Sequence, residues 1–347
     1  MIISLFSLFG GDNMVDIKTI RNSKSCEEVF VNDKVKTKEI YRELAKKYHP
    51  DICKSKTAGE DFAKITLLYN EAVEKIEKGI WFEKDVLFLE SVSNKKYKLK
   101  YLKKQEFELG NFYIGRNHLI YVLEAKNKKY LDNALKVLRS LKYENSEMEK
   151  EFKRYFPQIV DTFELKTGEH CLVLKKDSTD FLLEDLDKYY KNQGSELYDK
   201  HCAWVISRLS NIACFLKYNG LVHNGISLTN CFISPKYHTI MLLGGWWYCV
   251  PNGEKMLGTQ KSVYDVMPIK EKSEKKATYQ TDLECVKQIG RQLNKKTLPK
   301  PFQEWLDKGA LKDAYNSFDE WNSVLYQSYG ERKFIELNIS EKDIYSM

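Results

Sequence analysis

The chain sets an imidazole and a carboxylate on either side of a proline, at His49-Pro50-Asp51, directly after a run of regularly spaced cations. Lys38, Arg42 and Lys46 are four residues apart, so on a helix they stack on one face, with Lys47 beside them. Ile40, Tyr41, Leu44, Ala45 and Tyr48 recur at helical spacing and form a separate apolar stripe. Pro50 disfavours the α conformation at His49 and has no N–H to donate, so the helix must stop there. His49 and Asp51 are thereby displayed on a loop beside a cationic face. That chemistry suits docking on an acidic surface by charge complementarity. The plain alternative is a chance tripeptide ending a surface helix, and the flanking sequence decides between the two.

A second helix is expected to follow and pack antiparallel. Thr57 and Glu60 fit a capping box. Phe62, Ile65, Tyr69, Ala72 and Ile76 step by three and four, an apolar seam suited to helix pairing. Gly79 fits a C-terminal stop. Upstream, Ser25 and Glu28 make another box, opening a short helix with Val29 and Phe30. Helix, basic helix, His-Pro-Asp loop, helix, over residues 22–80, resembles the J domain, the co-chaperone module that activates DnaK-type ATPases. By that resemblance His49, Pro50 and Asp51 promote ATP hydrolysis in the partner, and Lys38, Arg42, Lys46 and Lys47 provide the docking face.

A chain of 347 residues is long enough for two domains with cores of their own. Hydrophobic content of 43% and charged content of 30% suit a globular protein. Eight cysteines are scattered without a Cys-x-x-Cys pair, which disfavours a zinc site or a disulfide framework and fits a reducing cytoplasm. Residues 1–9 are mostly apolar but lack a basic lead and fall far short of the ~20 residues that span a bilayer. They read as a buried strand or turn, or as an extension ahead of a start at Met14, and no membrane partner is expected. The net charge of +7 comes from interspersed Lys and Glu. No Arg-rich arm or basic patch with interleaved aromatics stands out, so no nucleic-acid partner is expected. The one organised basic face is the helix before His49.

From Val86 the pattern changes. Segments 86–92, 97–101, 107–114, 119–123 and 134–138 read as strands, and helical periodicity dominates from about residue 180. A β-rich part followed by a helical part resembles the bilobal protein-kinase fold, and motifs in family order carry the likeness over residues 95–330. Gly115 to Val122 stands for the glycine loop with one glycine kept and Ile120 in place of another. Ala134-Leu135-Lys136 is similar to the strand-three Ala-x-Lys, with Glu147 or Glu151 as the helix-C glutamate. His223-Asn224-Gly225-Ile226-Ser227-Leu228-Thr229-Asn230 resembles the catalytic loop. His223 and Asn230 match, Gly225 replaces the base aspartate, and Ser227 replaces the lysine. Leu243-Gly244-Gly245 stands where Asp-Phe-Gly belongs. Gly258-Thr259 with Pro268 suggests an activation-segment remnant. Asp282 fits the aspartate that holds the catalytic-loop backbone.

The departures imply loss of activity. Phosphoryl transfer needs a carboxylate to orient the hydroxyl and carboxylate-held magnesium on the phosphates. Gly225 cannot act as the base and Leu243 cannot hold a metal. Base loss alone costs about 100- to 10,000-fold. The expectation is a pseudokinase that has no cofactor and binds nucleotide weakly and without metal, if at all. Lys136 either binds an anion or pairs with Glu147, or is an ordinary exposed lysine. Trp246-Trp247-Tyr248 reads as a core or interlobe plug ahead of a ligand platform. Lys270–Lys276 reads as a mobile charged loop.

The resulting fold class is α+β: an all-α J domain at residues 1–84, then a kinase-like domain at 85–330. That domain has a β-rich N-lobe at about 85–178 and a helical C-lobe at about 179–330, and a tail follows at 331–347. The expected function is a J-domain co-chaperone, not an enzyme, that brings a DnaK-type chaperone to a protein client held by the kinase-like domain. Its groove and the surface around Trp246–Tyr248 are the expected recognition sites. One rival is an atypical kinase using Asp265 or Glu254 as the missing carboxylate. The other is a scaffold uncoupled from any chaperone.

Overall fold

The structure is a computed structural model that describes residues 15–23, 25–77, 81, 85–331 and 333–345. It divides into two compact units, Met1–Val86 and Leu87–Met347. The readings made on Met1–Phe9, Met14 and Gly79 fall outside the described residues.

Unit 1 is helical: α1 (Ile17–Asn22), a 3-10 turn at Cys26–Glu28, α2 (Lys34–Tyr48) and α3 (Ala58–Glu77). Asp16 caps α1 and Asp33 caps α2, each accepting backbone N–H bonds. Ile20, Phe30, Leu44, Ile65, Leu68, Ala72 and Trp81 form one buried core, and Tyr41 stacks on Tyr69 at 4.1 Å to join α2 to α3. Two expected caps are absent. Ser25 makes no capping bond, and only a single 3-10 turn forms there. The Thr57 hydroxyl donates to Asp61 and accepts from Arg21, because Asp61 is buried and takes both guanidinium contacts at 2.7 Å. That ion pair ties α1 to α3.

Unit 2 opens with an antiparallel sheet. Its strands are β1 (Val86–Glu90), β2 (Lys96–Phe107), β3 (Gly110–Gly115), β4 (His118–Leu123), β5 (Ile159–Glu164) and β6 (His170–Lys175), in spatial order β1-β2-β3-β4-β6-β5. Residues 107–114, expected as one strand, are a hairpin with its turn at Glu108-Leu109. Residues 134–138, expected as a strand, belong to helix α4 (Lys128–Ser140), followed by α5 (Ser146–Phe152). The reason is the period: Leu131, Ala134 and Val137 are the buried residues, three apart, as on a helix face.

A helical lobe follows, built from β7 (Phe181–Leu182), α6 (Leu183–Asn192), α7 (Asp199–Tyr218), β8 (Leu221–Val222), β9 (Cys231–Ser234), β10 (Thr239–Leu242) and β11 (Val250–Pro251). Helices α8 (Lys261–Val266), α9 (Ile269–Glu274), α10 (Tyr279–Leu293), α11 (Lys300–Asp307) and α12 (Ala314–Tyr329) complete it. Helix α9 replaces the expected mobile loop, anchored by the buried Glu271, which accepts from Thr278 at 3.0 Å. The tail ends in α13 (Glu341–Tyr345), where the Tyr345 hydroxyl accepts the Leu182 N–H at 3.1 Å. One large core runs from the sheet through Trp246 and Trp247 to Trp321. Among the described residues no helix is long and apolar enough to cross a membrane, and all eight cysteines are free thiols.

Candidate functional site

On unit 1, α2 ends at Tyr48 and His49 is its C-cap, at φ −60° and ψ 136°, the extended conformation that a following proline demands. The His49 ring rests edge-on against Phe62 at 4.9 Å. Its Nδ1 accepts the Asp51 N–H at 3.2 Å and lies 3.5 Å from the Asp51 carboxylate. Phe62 thus sets the imidazole's position, while the Asp51 side chain stays 86% exposed. Lys38, Arg42, Lys46 and Lys47 are all exposed on α2. Cys26, Glu27 and Glu71 cluster like metal ligands, but the Lys75 ammonium already sits among them, 2.8 Å from Glu27 and 2.5 Å from Glu71.

On unit 2, the stretch His223–Asn230 is held from three sides. The His223 and Asn224 backbone N–H groups donate to the Asp282 carboxylate on α10 at 2.7 and 2.8 Å. Asn224, at φ +55°, donates to the Gly258 carbonyl at 2.9 Å, and Thr259 donates back to the Asn224 carbonyl at 3.1 Å. Asn230 donates to the Gly225 carbonyl at 2.7 Å and to the Gln260 carboxamide at 2.8 Å, which also accepts from Ser227 at 3.0 Å. The side chains of Ser227 and Asn230 are therefore spent on Gln260.

Leu243-Gly244-Gly245 closes over this loop. A Cβ on Gly244 would lie 2.4 Å from Asn230 Oδ1 and 2.6 Å from the Tyr121 hydroxyl. Gly245 has φ +82°, and a Cβ there would lie 2.7 Å from the His223 ring. A Cβ on Gly225 would come 3.2 Å from the Gly245 carbonyl oxygen, so the position of the missing base is crowded by backbone. Leu243 is buried. His223 is also buried, packed edge-on to Trp246 at 4.8 Å, and burial pushes its pKa down to about 3. It is a neutral core group with no acid–base work.

Above the loop lies an aromatic cluster. Trp247 packs at 4.8 Å from Tyr121 and 5.2 Å from Phe107, and Trp246, Trp247 and Tyr248 are each no more than 2% exposed. They are the interlobe filling, so their rings are not surface anchors for a partner. The cavity left beside Asn230 measures about 90 Å³ and is lined by Phe107, Glu108, Phe112, Tyr121 and Gln260 among others. Ligand pockets run from about 300 to 1,000 Å³. Asp265, on α8, and Glu254, in the turn after β11, do not line it.

Three expected positions move. Lys136 is exposed on α4, in a groove with Asp132, Leu135 and Arg139, and makes no ion pair with Glu147 or Glu151 among the described residues. Glu147 is exposed on α5. Gly115 ends β3 with Leu99, Lys100 and His118 around it, and what lines the cavity beside Asn230 is the end of β2 and the turn after it, with Phe107 and Glu108. Gln260 and Tyr121 carry no motif and were not singled out. A second basic face also emerges: Lys96, Lys98, Lys100 and Lys104 alternate along the exposed side of β2. The alternation of Lys with Tyr97, Leu99 and Tyr101 was its signal.

Asp282 yields a test of the scaffold. Burial pushes its carboxyl up to about 7, with the two backbone N–H bonds opposing the shift. An acid with a raised folded pKa adds stability below its unfolded pKa and loses it as pH rises toward the folded value. Wild type should therefore lose stability relative to Asp282→Ala between about pH 4 and pH 7. Even at pH 7 Asp282→Ala should be the less stable by about 2–6 kcal/mol, since it leaves two buried N–H groups without acceptors. Urea unfolding of both proteins across that range reads out slope and offset.

The bilobal arrangement, with an antiparallel sheet lobe and a helical lobe meeting at a loop pinned by a buried aspartate, is that of a protein-kinase-like fold. The BubR1 kinase domain is similar at TM-score 0.51 and 13% identity, over 70% of this chain and 83% of that one. ROP2 from Toxoplasma gondii, described as a virulence factor with a protein-kinase fold and no enzymatic activity, is similar at TM-score 0.49 and 13% identity, over 73% and 87%. A Toxoplasma gondii rhoptry antigen kinase domain gives 0.46 and 11%, over 72% and 88%. At these identities the likeness is one of fold. No protein-family model matches the chain, and no curated protein matches it.

Proposed function

We propose that this chain is a J-domain co-chaperone whose kinase-like domain is catalytically inactive and recruits a protein client. The His49-Pro50-Asp51 loop carries the reading: it is exposed at the end of a cationic helix and paired with α3 through a continuous core. In the proposed role α2 docks on an acidic face of a DnaK-type chaperone, and the loop stimulates ATP hydrolysis there. The chemistry takes place in the partner. A reducing, cytoplasmic setting fits the free thiols.

For unit 2 the reading is a pseudokinase without cofactor. Gly225 and Leu243 supply neither base nor metal ligand, and the cavity beside Asn230 is too small for a nucleotide. Purified protein should transfer no labelled γ-phosphate with magnesium or manganese, and ATP should not shift its melting temperature. Gly225→Asp/Leu243→Asp should not gain activity, because the Gly245 carbonyl and the aromatic filling remain. Transfer that survives repurification would overturn the pseudokinase half. Affinity capture with wild type and His49→Gln tests the other half: both should retain the client, and only wild type should retain the chaperone.

A further inference from the structure

A second, larger cavity lies in the helical lobe, and none of the motif residues above lines it. It holds about 410 Å³, within the range of small-molecule sites. Lys200, Trp204 and Arg208 reach it from α7, His238 from the β9–β10 turn, and Glu331 and Lys333 from the segment after α12. Among the described residues, three cations thus face one carboxylate. Arg208 is half-buried, its Nε is shielded from solvent without a hydrogen-bond partner, and it forms no ion pair among the described residues. A guanidinium in that state is costly unless an anion completes it. The apolar wall is aromatic: the Trp204 indole stacks on the His238 imidazole at 3.9 Å and 6°, Trp204 Nε1 donates to the His238 carbonyl at 3.2 Å, and Phe334 packs at a tilt on His238 at 4.6 Å. His238 is held at φ +47°, in the left-handed region that few non-glycine residues occupy. Burial, with Arg208 and His201 nearby, pushes its pKa down to about 4, so the imidazole stays neutral at physiological pH and does not compete for an anion.

We infer that this cavity binds a small organic anion, a phosphate or carboxylate on a flat apolar body. Arg208 takes the anion in its planar fork, Lys200 and Lys333 add charge at the rim, and the Trp204–His238 stack supports the body. The site is independent of the interlobe cleft and of the co-chaperone reading.

Isothermal titration of the full chain with phenyl phosphate tests this, with inorganic phosphate and benzyl alcohol as separate arms at matched ionic strength. Phenyl phosphate should bind saturably at one site. Inorganic phosphate should bind at least tenfold more weakly and benzyl alcohol not at all. Arg208→Gln should weaken phenyl phosphate at least tenfold with an unchanged melting temperature. If that variant fails to fold, exposed Lys200→Gln decides, with a several-fold loss expected. No saturable phenyl phosphate binding overturns the inference, as does equal binding by wild type and the folded variant. Preference for benzyl alcohol would make the cavity an apolar one and reject the anion.

Discussion

His49→Gln should return the ATPase rate of a DnaK-type chaperone to its unstimulated value while leaving this protein folded. The two halves of that result come from different parts of the geometry. In the proposed role stimulation depends on the displayed loop, where His49 and Asp51 are held together through the Nδ1 contact. Folding depends on Leu44, Ile65, Leu68 and Ala72, none of which His49 replaces. The substitution loses one edge-on aromatic contact with Phe62, worth about 0.5–1.5 kcal/mol. Single-turnover hydrolysis with wild type and variant reads the first half, and urea unfolding reads the second. Equal stimulation by both proteins would sink the co-chaperone reading. Arg42→Ala and Lys46→Ala should weaken stimulation most at low salt, because exposed charges more than ~10 Å apart are screened near 0.1 M.

Unit 1 was legible where causes are local. Pro50 acts on its immediate neighbour, so the end of α2 could be placed from the sequence, and the seam from Phe62 to Ile76 is a repeat within one helix. The capping boxes failed because a cap competes with tertiary partners: Thr57 is drawn to the buried Asp61–Arg21 pair, 36 residues away from Arg21. In unit 2 the order of motifs conveyed the fold but not every element. Ala134-Leu135-Lys136 was matched as a motif although Leu131, Ala134 and Val137 already follow a helical period. The β2–β3 and β3–β4 hairpins each contain a glycine, and only the pairing register distinguishes the turn at Glu108-Leu109 from the one after Gly115. The bonds from Asn230 and Ser227 to Gln260 span 30 and 33 residues and leave no local trace. The cavity at Arg208 is likewise assembled from α7, a turn and the segment after α12, each unremarkable by itself.

Removing the indole at Trp247 should destabilise unit 2 strongly. The side chain is 1% exposed and packs against Tyr121 and Phe107, so it joins the sheet lobe to the loop below. Trp247→Ala should cost about 3–5 kcal/mol, the usual range for a large aromatic truncated in a core. Trp247→Phe should cost less: it keeps much of the packing and removes an indole N–H that is buried without an acceptor, a group that itself costs about 1–3 kcal/mol. The melting of unit 1 should not move, because Ile20 to Trp81 form a core separate from the one containing Trp247. Chaperone stimulation by Trp247→Ala should therefore survive at temperatures where unit 2 has already unfolded, while client capture fails first on warming. Calorimetry resolves the two transitions. A loss below about 1 kcal/mol, the scale of an ordinary surface change, would mean that Trp247 does not fill the interlobe cleft. The small cavity would then no longer stand against nucleotide binding.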